Sequence, residues 1–407
     1  MKILLIHNYY GSTAPSGENQ VFEAERDLLR ARGHEVETLT RHSDEIRDRG
    51  FVGELRGALA TAWNPWMARR VSRFVARFRP DVVHVHNSFP LISPAVFHAI
   101  GNPAAKVLTL HNYRLFCAAG IPMRDGKVCT LCLDRRSSLP ALRHGCYRGS
   151  RVATLPLAAS VGLHRALGTW RNRVDAFIAL SEFQRQRMVD GGLPAAKVFV
   201  KPNFYPGDPA PVPWRERDDQ VVFAGRLTGE KGVATLVEAW RHWRGREGAT
   251  PTLNILGDGP LRASLAHAAS GLPVQFLGQR TKADTEDCIR RAKLLVLPSE
   301  WFEGFPMVIR EAFAFGTPVA VSDLGPLPAI VAHGVSGLVF PAANPTALAD
   351  TLAKAWQNPG ELERLGHGAR AEFEAKYTAE RNYQQLLGIY RAAIAAAAAG
   401  QREVTPS

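Results

Sequence analysis

Two carboxylates, Glu303 and Glu311, stand eight positions apart in Pro298-Ser-Glu-Trp-Phe-Glu-Gly-Phe-Pro-Met-Val-Ile-Arg-Glu-Ala-Phe-Ala-Phe-Gly-Thr-Pro-Val319. The strand-like run Leu294–Pro298 ends there, and a Gly/Pro turn follows. An almost wholly apolar helix then starts near Pro306, a residue type that suits a first turn. The N–H groups of Gly304 and Phe305 would be unpaired donors at a positive helix end, a natural place for an anion. Glu303 lies at that mouth. Glu311 falls inside the apolar helix, where a carboxylate is costly unless something bonds to it. Such a pair at the carboxyl edge of a strand can grip sugar or ribose hydroxyls. The alternative is that Glu303 caps the helix and Glu311 pairs with a core arginine.

A second segment, Phe223-Ala-Gly-Arg-Leu-Thr-Gly-Glu-Lys-Gly232, places Arg226 and Lys231 around a glycine-containing turn. Two cations beside one cleft can neutralise a departing nucleoside diphosphate. The sequence has no Asp-x-Asp pair and no Gly-x4-Gly-Lys-Ser/Thr loop, so metal-assisted and P-loop solutions lose weight. The alternative is a solvated turn with two surface charges.

Nearer the start, Tyr10-Gly-Ser-Thr-Ala-Pro-Ser-Gly-Glu18, with Gly17, permits close backbone approach to a phosphate or sugar. His111 and Asn112 end a strand at the expected cleft. A histidine at a strand end is either a catalyst or a packing residue, and His84 and His86 read as packing. Four of the five cysteines are spaced Cys117-x11-Cys129-x2-Cys132-x13-Cys146. One C-x-x-C with two outlying cysteines can close a structural zinc site with four thiolates. Unliganded thiols are the alternative, and disulfides are disfavoured in a cytoplasmic chain.

The elements that must position these groups alternate along the whole chain. Strand candidates in the first half are Lys2–His7, Glu35–Thr40, Val82–His86, Lys106–His111, Ala176–Ser181 and Val198–Lys201. Several read as continuous apolar runs, as in a parallel sheet covered on both faces. After the prolines between Lys201 and Asp219 the alternation restarts at Val221-Val222-Phe223-Ala224-Gly225. It continues through Thr252–Leu256, Val274–Leu277, Leu294–Pro298 and Pro318–Ser322. The expected fold is α/β: two Rossmann-like doubly wound domains facing a cleft. The expected divisions are an N-terminal, acceptor-side domain over 1–203 with a cysteine-containing excursion at 113–150, and a proline-rich linker at 204–219. A donor domain over 220–380 follows, then a C-terminal helix and frayed tail over 381–407.

Of the 407 residues 46% are hydrophobic and 22% charged, which excludes disorder as the dominant state. The net charge of +12 is unevenly placed. Residues 1–205 carry 29 basic against 16 acidic side chains, whereas residues 206–407 are nearly neutral. The N-terminus has an apolar run of four residues, short of a signal peptide, and no stretch approaches a membrane span. The expected location is therefore cytoplasmic. Trp63-Asn-Pro-Trp-Met-Ala-Arg-Arg-Val-Ser-Arg-Phe-Val-Ala-Arg-Phe-Arg79 suits anionic lipid headgroups, which points to a peripheral position at the inner face of the cytoplasmic membrane. An ordinary sheet-packed helix with solvated arginines is the alternative.

Together, the Glu303-x7-Glu311 segment, the Phe-Ala-Gly-Arg-Leu…Glu-Lys-Gly turn and Leu256-Gly-Asp-Gly-Pro260 resemble glycosyltransferase family 4 across essentially the whole chain. The start, His7-Asn-Tyr-Tyr…Ser-Gly-Glu-Asn-Gln-Val-Phe-Glu, is similar to a bacterial surface-polysaccharide branch. The resemblance implies the GT-B fold, a UDP- or GDP-linked sugar donor, retention of anomeric configuration and no catalytic metal. It implies that Arg226 and Lys231 bind the donor diphosphate, Glu311 the ribose and Glu303 the sugar hydroxyls. Gly17, Gly304, Phe305 and Pro306 would lie along the donor, and His111 would touch the sugar near the reacting centre. Ala329 stands where the family often has a glutamate, and Ser16-Gly17 replaces its Gly-Gly. The acceptor implied is a glycan or a polyprenyl-diphosphate-linked saccharide. The competing readings are a nucleotide-sugar epimerase or hydrolase on the same architecture, and a zinc-stapled, polyanion-binding protein. The latter leaves the second-half motifs unexplained, so no nucleic-acid partner is expected.

Overall fold

The computed structural model describes the chain except residues 12–15, 48–52, 54–56, 59, 102, 245–249 and 403–407. Most of the loop expected to approach the ligand, Ser12–Pro15, and the tail expected to fray thus lie outside the described residues. The chain divides into two compact units. The first comprises Met1–Pro122, Thr130–Pro202 and Asn382–Ser407; the second comprises Met123–Cys129 and Asn203–Arg381.

The first unit is built on a six-stranded parallel sheet of β1 (Lys2–Tyr9), β2 (Glu35–His42), β3 (Val82–Asn87), β4 (Ala105–Thr109), β7 (Ala176–Ala179) and β8 (Val198–Val200). The spatial order is β2-β1-β3-β4-β7-β8. Ile3 to Ile6 are fully buried, as expected for a strand covered on both faces. A hairpin of β5 (Met123–Arg124) and β6 (Lys127–Val128) belongs to the second unit's segment 123–129. Strand order reverses at β1, so the crevice beyond the carboxyl ends of β1 and β3 is the topological switch point where ligands bind such sheets.

The C-terminal helix Ala379–Arg402 packs into this first unit. Leu386, Tyr390 and Ala393 are fully buried beside Ile3, Leu5 and Phe22. The alanine-rich stretch 392–399 of this helix is therefore partly core: Ala393 and Ala397 are small enough to let the helix approach closely.

The second unit holds β9 (Asp218–Ala224), β10 (Thr252–Leu256), β11 (Val274–Gly278), β12 (Ala292–Leu297), β13 (Val319–Ser322) and β14 (Gly337–Phe340). Their order is β11-β10-β9-β12-β13-β14, the dinucleotide-fold order with its switch point between β9 and β12. β14 is an addition to the strands read from sequence. The proline-rich stretch is no loose spacer. Arg217 is buried, donating to the carbonyls of Ala292 (2.9 Å) and Phe315 (2.6 Å) and to Thr317 Oγ1 (2.7 Å). Arg370 holds the Pro209 carbonyl at 2.8 Å. The stretch is fastened to the second unit by these two guanidinium groups.

Candidate functional site

The second unit gathers its chemistry at the switch point. The turn leaving β9 carries Arg226 and Lys231, and the turn leaving β12 carries Ser299 to Glu303. The two are stitched together: the Glu300 N–H donates to the Glu230 carbonyl at 2.9 Å. Thr235 Oγ1 donates to Glu300 Oε1 at 2.6 Å. This close approach requires Gly232, whose φ is +66° and where an added Cβ would stand 1.8 Å from the Pro298 carbonyl oxygen. Gly257 does the same at the neighbouring strand, with φ +126° and a Cβ position 1.9 Å from the Gly225 oxygen. The Leu227 N–H then donates to the Asp258 carbonyl at 2.9 Å, seating the Gly-Asp-Gly turn on the Gly-Arg-Leu turn.

On this frame Lys231 Nζ donates to Glu303 Oε1 at 2.8 Å, and Ser299 Oγ donates to the same oxygen at 2.6 Å. Glu303 is 4% exposed. The Lys231 ammonium also lies 5.4 Å from the Trp301 ring centroid. Arg226 is mostly exposed and reaches Glu230 at 3.2 Å. The structure thus brings Lys231 and Glu303 together and leaves Arg226 at the rim.

Glu311 has different company. It lies buried with Arg310, the closest charged atoms 3.9 Å apart. Burial raises its carboxyl above the ordinary carboxylate range, Arg310 opposes that, and Glu286 adds to it. The core-arginine alternative is therefore present in the structure, although two of the Arg310 nitrogens make no hydrogen bond. Gly304 is half-buried in the turn. Pro306 occupies the N-cap of helix Met307–Ala314. Phe305 is buried against Tyr377, ring centroids 5.4 Å apart, so it packs the base of the turn.

The first unit presents a second cluster. Gly17 opens helix Gly17–Ala31. Next to it, Glu18 accepts from Asn112 Nδ2 at 2.9 Å, fixing the helix start to the segment after β4. His86, Asn87, His111, Asn112, Arg114 and Trp170 help line a cavity of about 70 Å³. His86 Nδ1 lies 3.2 Å from His111 Nε2. Burial, with the neighbouring histidines and Lys201, holds both imidazoles well below their ordinary range, so both are neutral at neutral pH.

Behind them is a buried ion pair that the sequence reading does not name. Lys201 Nζ donates to Glu25 Oε1 at 2.5 Å, both side chains 1% exposed. His84 bonds Tyr390 through Nδ1 (2.8 Å) and Thr109 through Nε2 (2.7 Å). Glu25, His84 and His86 could be mistaken for a metal site, since their ligand atoms lie within 4.8 Å of one another. Both nitrogens of His84 are already bonded, however, and a lysine cation already sits on the carboxylate.

Of the four cysteines expected to hold zinc, Cys132 and Cys146 meet at one apolar cluster, and Cys117 lies near enough to Cys132 to feel its charge. Among the described residues, no group of three or more ligand atoms within 4.8 Å of one another includes Cys117, Cys132 or Cys146. Cys132 packs with Ala118, Ala141 and Leu157, and Cys146 lies against that apolar cluster. Cys117 directs its thiol at the Ile121 carbonyl, and burial pushes it up to about 12. Cys129 falls in the second unit's segment.

Two parallel-sheet α/β units, each with its polar groups at a switch point, define a GT-B architecture. A TM-score of 0.64 to HepE of Anabaena, solved with UDP-glucose, agrees; the match covers 95% of this chain and 98% of that one at 19% identity. The model "Glycosyltransferase Family 4" matches residues 17–206, and "Glycosyl transferases group 1" matches 207–372. The chain belongs to the family 4 glycosyltransferases. It is 26% identical to the alpha-D-kanosaminyltransferase of Streptomyces kanamyceticus over 82% of this chain and 75% of that protein. It is 27% identical to the amylovoran biosynthesis glycosyltransferase AmsK of Erwinia amylovora over 53% of this chain. The match spans about half (56%) of AmsK's own length.

Proposed function

We propose that the chain is a retaining, metal-independent glycosyltransferase of surface-polysaccharide biosynthesis. It moves one sugar from a UDP- or GDP-linked donor to a glycan or polyprenyl-diphosphate-linked acceptor. The observation that carries the reading is the Lys231–Glu303 pair at the β9/β12 switch point, 2.8 Å apart and joined by Ser299. In this account Lys231 and Arg226 neutralise the diphosphate as its bond to the anomeric carbon breaks. Glu303 accepts hydrogen bonds from the sugar hydroxyls, and Glu311 accepts from the ribose. The fixed cations take the place a metal holds in other sugar transfers. The departing diphosphate oxygen accepts the acceptor's hydroxyl proton as the new glycosidic bond forms on the face the diphosphate leaves, which conserves configuration. His111, neutral, is the sugar-contacting residue of this account.

The acceptor side is read as membrane-associated. Helix Pro65–Phe78 buries Met67 and Val71 while exposing Trp66 (75%) with Arg69, Arg70, Arg73 and Arg77. Trp and cations on one face suit an anionic lipid surface presenting a polyprenyl-linked acceptor. Among the described residues no helix is long and apolar enough to cross a membrane.

The test incubates the purified chain with UDP- and GDP-sugars and a polyprenyl-diphosphate saccharide, with and without EDTA, and determines the product's anomeric configuration by NMR. An EDTA-insensitive product of unchanged configuration supports the reading. Free sugar or an epimerised nucleotide sugar, with no acceptor product, replaces it with the hydrolase or epimerase reading.

A further inference from the structure

Strand alternation places His84 and His86 on one face of β3. His84 uses both ring nitrogens on Tyr390 and Thr109, but His86 is placed differently. Its Nδ1 lies 3.2 Å from His111 Nε2, while its Nε2 lies 3.5 Å from Glu25 Oε2. Both His86 Nε2 and Glu25 Oε2 are buried and make no hydrogen bond, and the 3.5 Å approach to each other is their nearest polar contact given by the structure. An unpaired buried polar atom costs roughly 1–3 kcal/mol, so each of these two atoms is stabilised by facing the other.

We propose that Glu25 and His86 are positioning residues that set the tautomer of His111, leaving His111 Nδ1 as a hydrogen-bond acceptor for a substrate hydroxyl. The inference rests on the reading of His111 as a sugar-contacting residue. A carboxylate only accepts, so the His86 nitrogen facing Glu25 must carry that ring's single proton. His86 Nδ1 is then a bare lone pair. The His111 nitrogen beside it must therefore donate, which puts the His111 proton on Nε2. Lys201 donates to the other oxygen of Glu25, which leaves Oε2 as the oxygen that faces His86. Burial and the surrounding histidines keep His86 and His111 neutral, so one proton per ring is the correct inventory.

The consequence is chemical selectivity on the cavity wall. A bare Nδ1 welcomes a donor such as a sugar hydroxyl and disfavours an acceptor such as a carbonyl or phosphate oxygen. Proton order thus runs from Lys201 through Glu25 and His86 to His111, with each group fixing the next. No proton need move during turnover.

The experiment uses full-length protein with histidines labelled with ¹⁵N, and long-range ¹H–¹⁵N correlation reads each tautomer at neutral pH without any substrate. The expected result is His111 protonated at Nε2 and bare at Nδ1. Glu25→Gln, whose amide can donate to His86, should turn both rings to the opposite tautomer. If that variant does not fold because Lys201 is left unpaired, Glu25→Gln/Lys201→Met removes both buried charges and carries the same reading. Sugar transfer in the variant should fall about 10- to 100-fold in kcat, with nucleoside-diphosphate affinity unchanged. A wild-type His111 protonated at Nδ1, or a tautomer insensitive to Glu25→Gln, overturns the relay. The expected tautomers in a chain that transfers no sugar overturn the reading of His111 as a sugar contact and leave the relay standing.

Discussion

Lys231 Nζ and Glu303 Oε1 are joined by a 2.8 Å hydrogen bond that ties the turn after β9 to the turn after β12. The side chains are 16% and 5% exposed, so this is a largely desolvated pair at the point where strand order reverses. Lys231→Ala removes one charge-assisted contact to a bound diphosphate, worth roughly 1.5–3 kcal/mol. Affinity for UDP or GDP should drop about 10- to 100-fold by calorimetric titration. An unchanged Kd would separate Lys231 from the ligand.

The glycine turns give a stability prediction with an internal control. Gly33 and Gly232 both have positive φ, +78° and +66°. An added Cβ at Gly33 has nothing within 4 Å, whereas at Gly232 it meets the Pro298 oxygen at 1.8 Å. Gly33→Ala should cost about 1–2 kcal/mol for the left-handed backbone alone. Gly232→Ala adds an overpacking penalty and should cost roughly 3–5 kcal/mol. Denaturant unfolding followed for each variant checks the order, and equal losses would contradict the packing described.

These turns also mark what is legible in the sequence. Arg226, Lys231, Glu303 and Glu311 stand in motifs whose glycines and prolines announce strand-to-helix turns, so their unit and strand edges follow from local pattern. Gly337–Phe340 is a strand of four residues beginning in glycine, too short for alternation to show. Glu25 and Lys201 are 176 residues apart, and His84 and Tyr390 are 306 apart, so no local period relates them. One signal did exist: Glu25 falls on the buried stripe Val21, Phe22, Glu25, Leu29 of its helix. A carboxylate on such a stripe demands a buried cation. The cysteine spacing permits zinc, but spacing alone cannot tell a metal site from small apolar packing.

Buried neutral histidines predict acid lability in the first unit. Burial lowers His7 to about 4, His84 to about 3 and His164 to about 4, from an ordinary 6.5. Between those values and 6.5 the unfolded chain binds more protons than the folded one, so stability falls as pH falls. The slope is roughly 1.4 kcal/mol per pH unit for each histidine fully within its window. Calorimetric scans should show the first unit's melting temperature constant in its histidine contribution above about pH 6.5 and dropping below it. A melting temperature unchanged down to about pH 4 would contradict the burial of these rings.

The exposed face of helix Pro65–Phe78 makes a separate prediction. Each cation near an anionic surface is worth ~1 kcal/mol, so Arg69→Glu/Arg70→Glu/Arg73→Glu should weaken partitioning onto anionic vesicles by at least about 100-fold. Trp66→Ala should weaken it further without changing its salt dependence. Cosedimentation with anionic and with neutral vesicles checks both. Equal binding to the two vesicle types would remove the membrane from the account.

The most direct measurement is a thermal-shift titration with UDP, GDP and no nucleotide, on the wild-type chain and on Glu311→Gln. A ligand that binds only the folded state stabilises by RT ln(1 + [L]/Kd), ~2.7 kcal/mol at about 100 Kd. The account predicts that one nucleotide raises the melting temperature of the wild type and that the rise is largely lost in Glu311→Gln, while the ligand-free variant still melts cooperatively. Absence of a shift with either nucleotide, or an equal shift in the variant, would contradict the placement of a nucleotide-sugar donor on Lys231, Glu303 and Glu311.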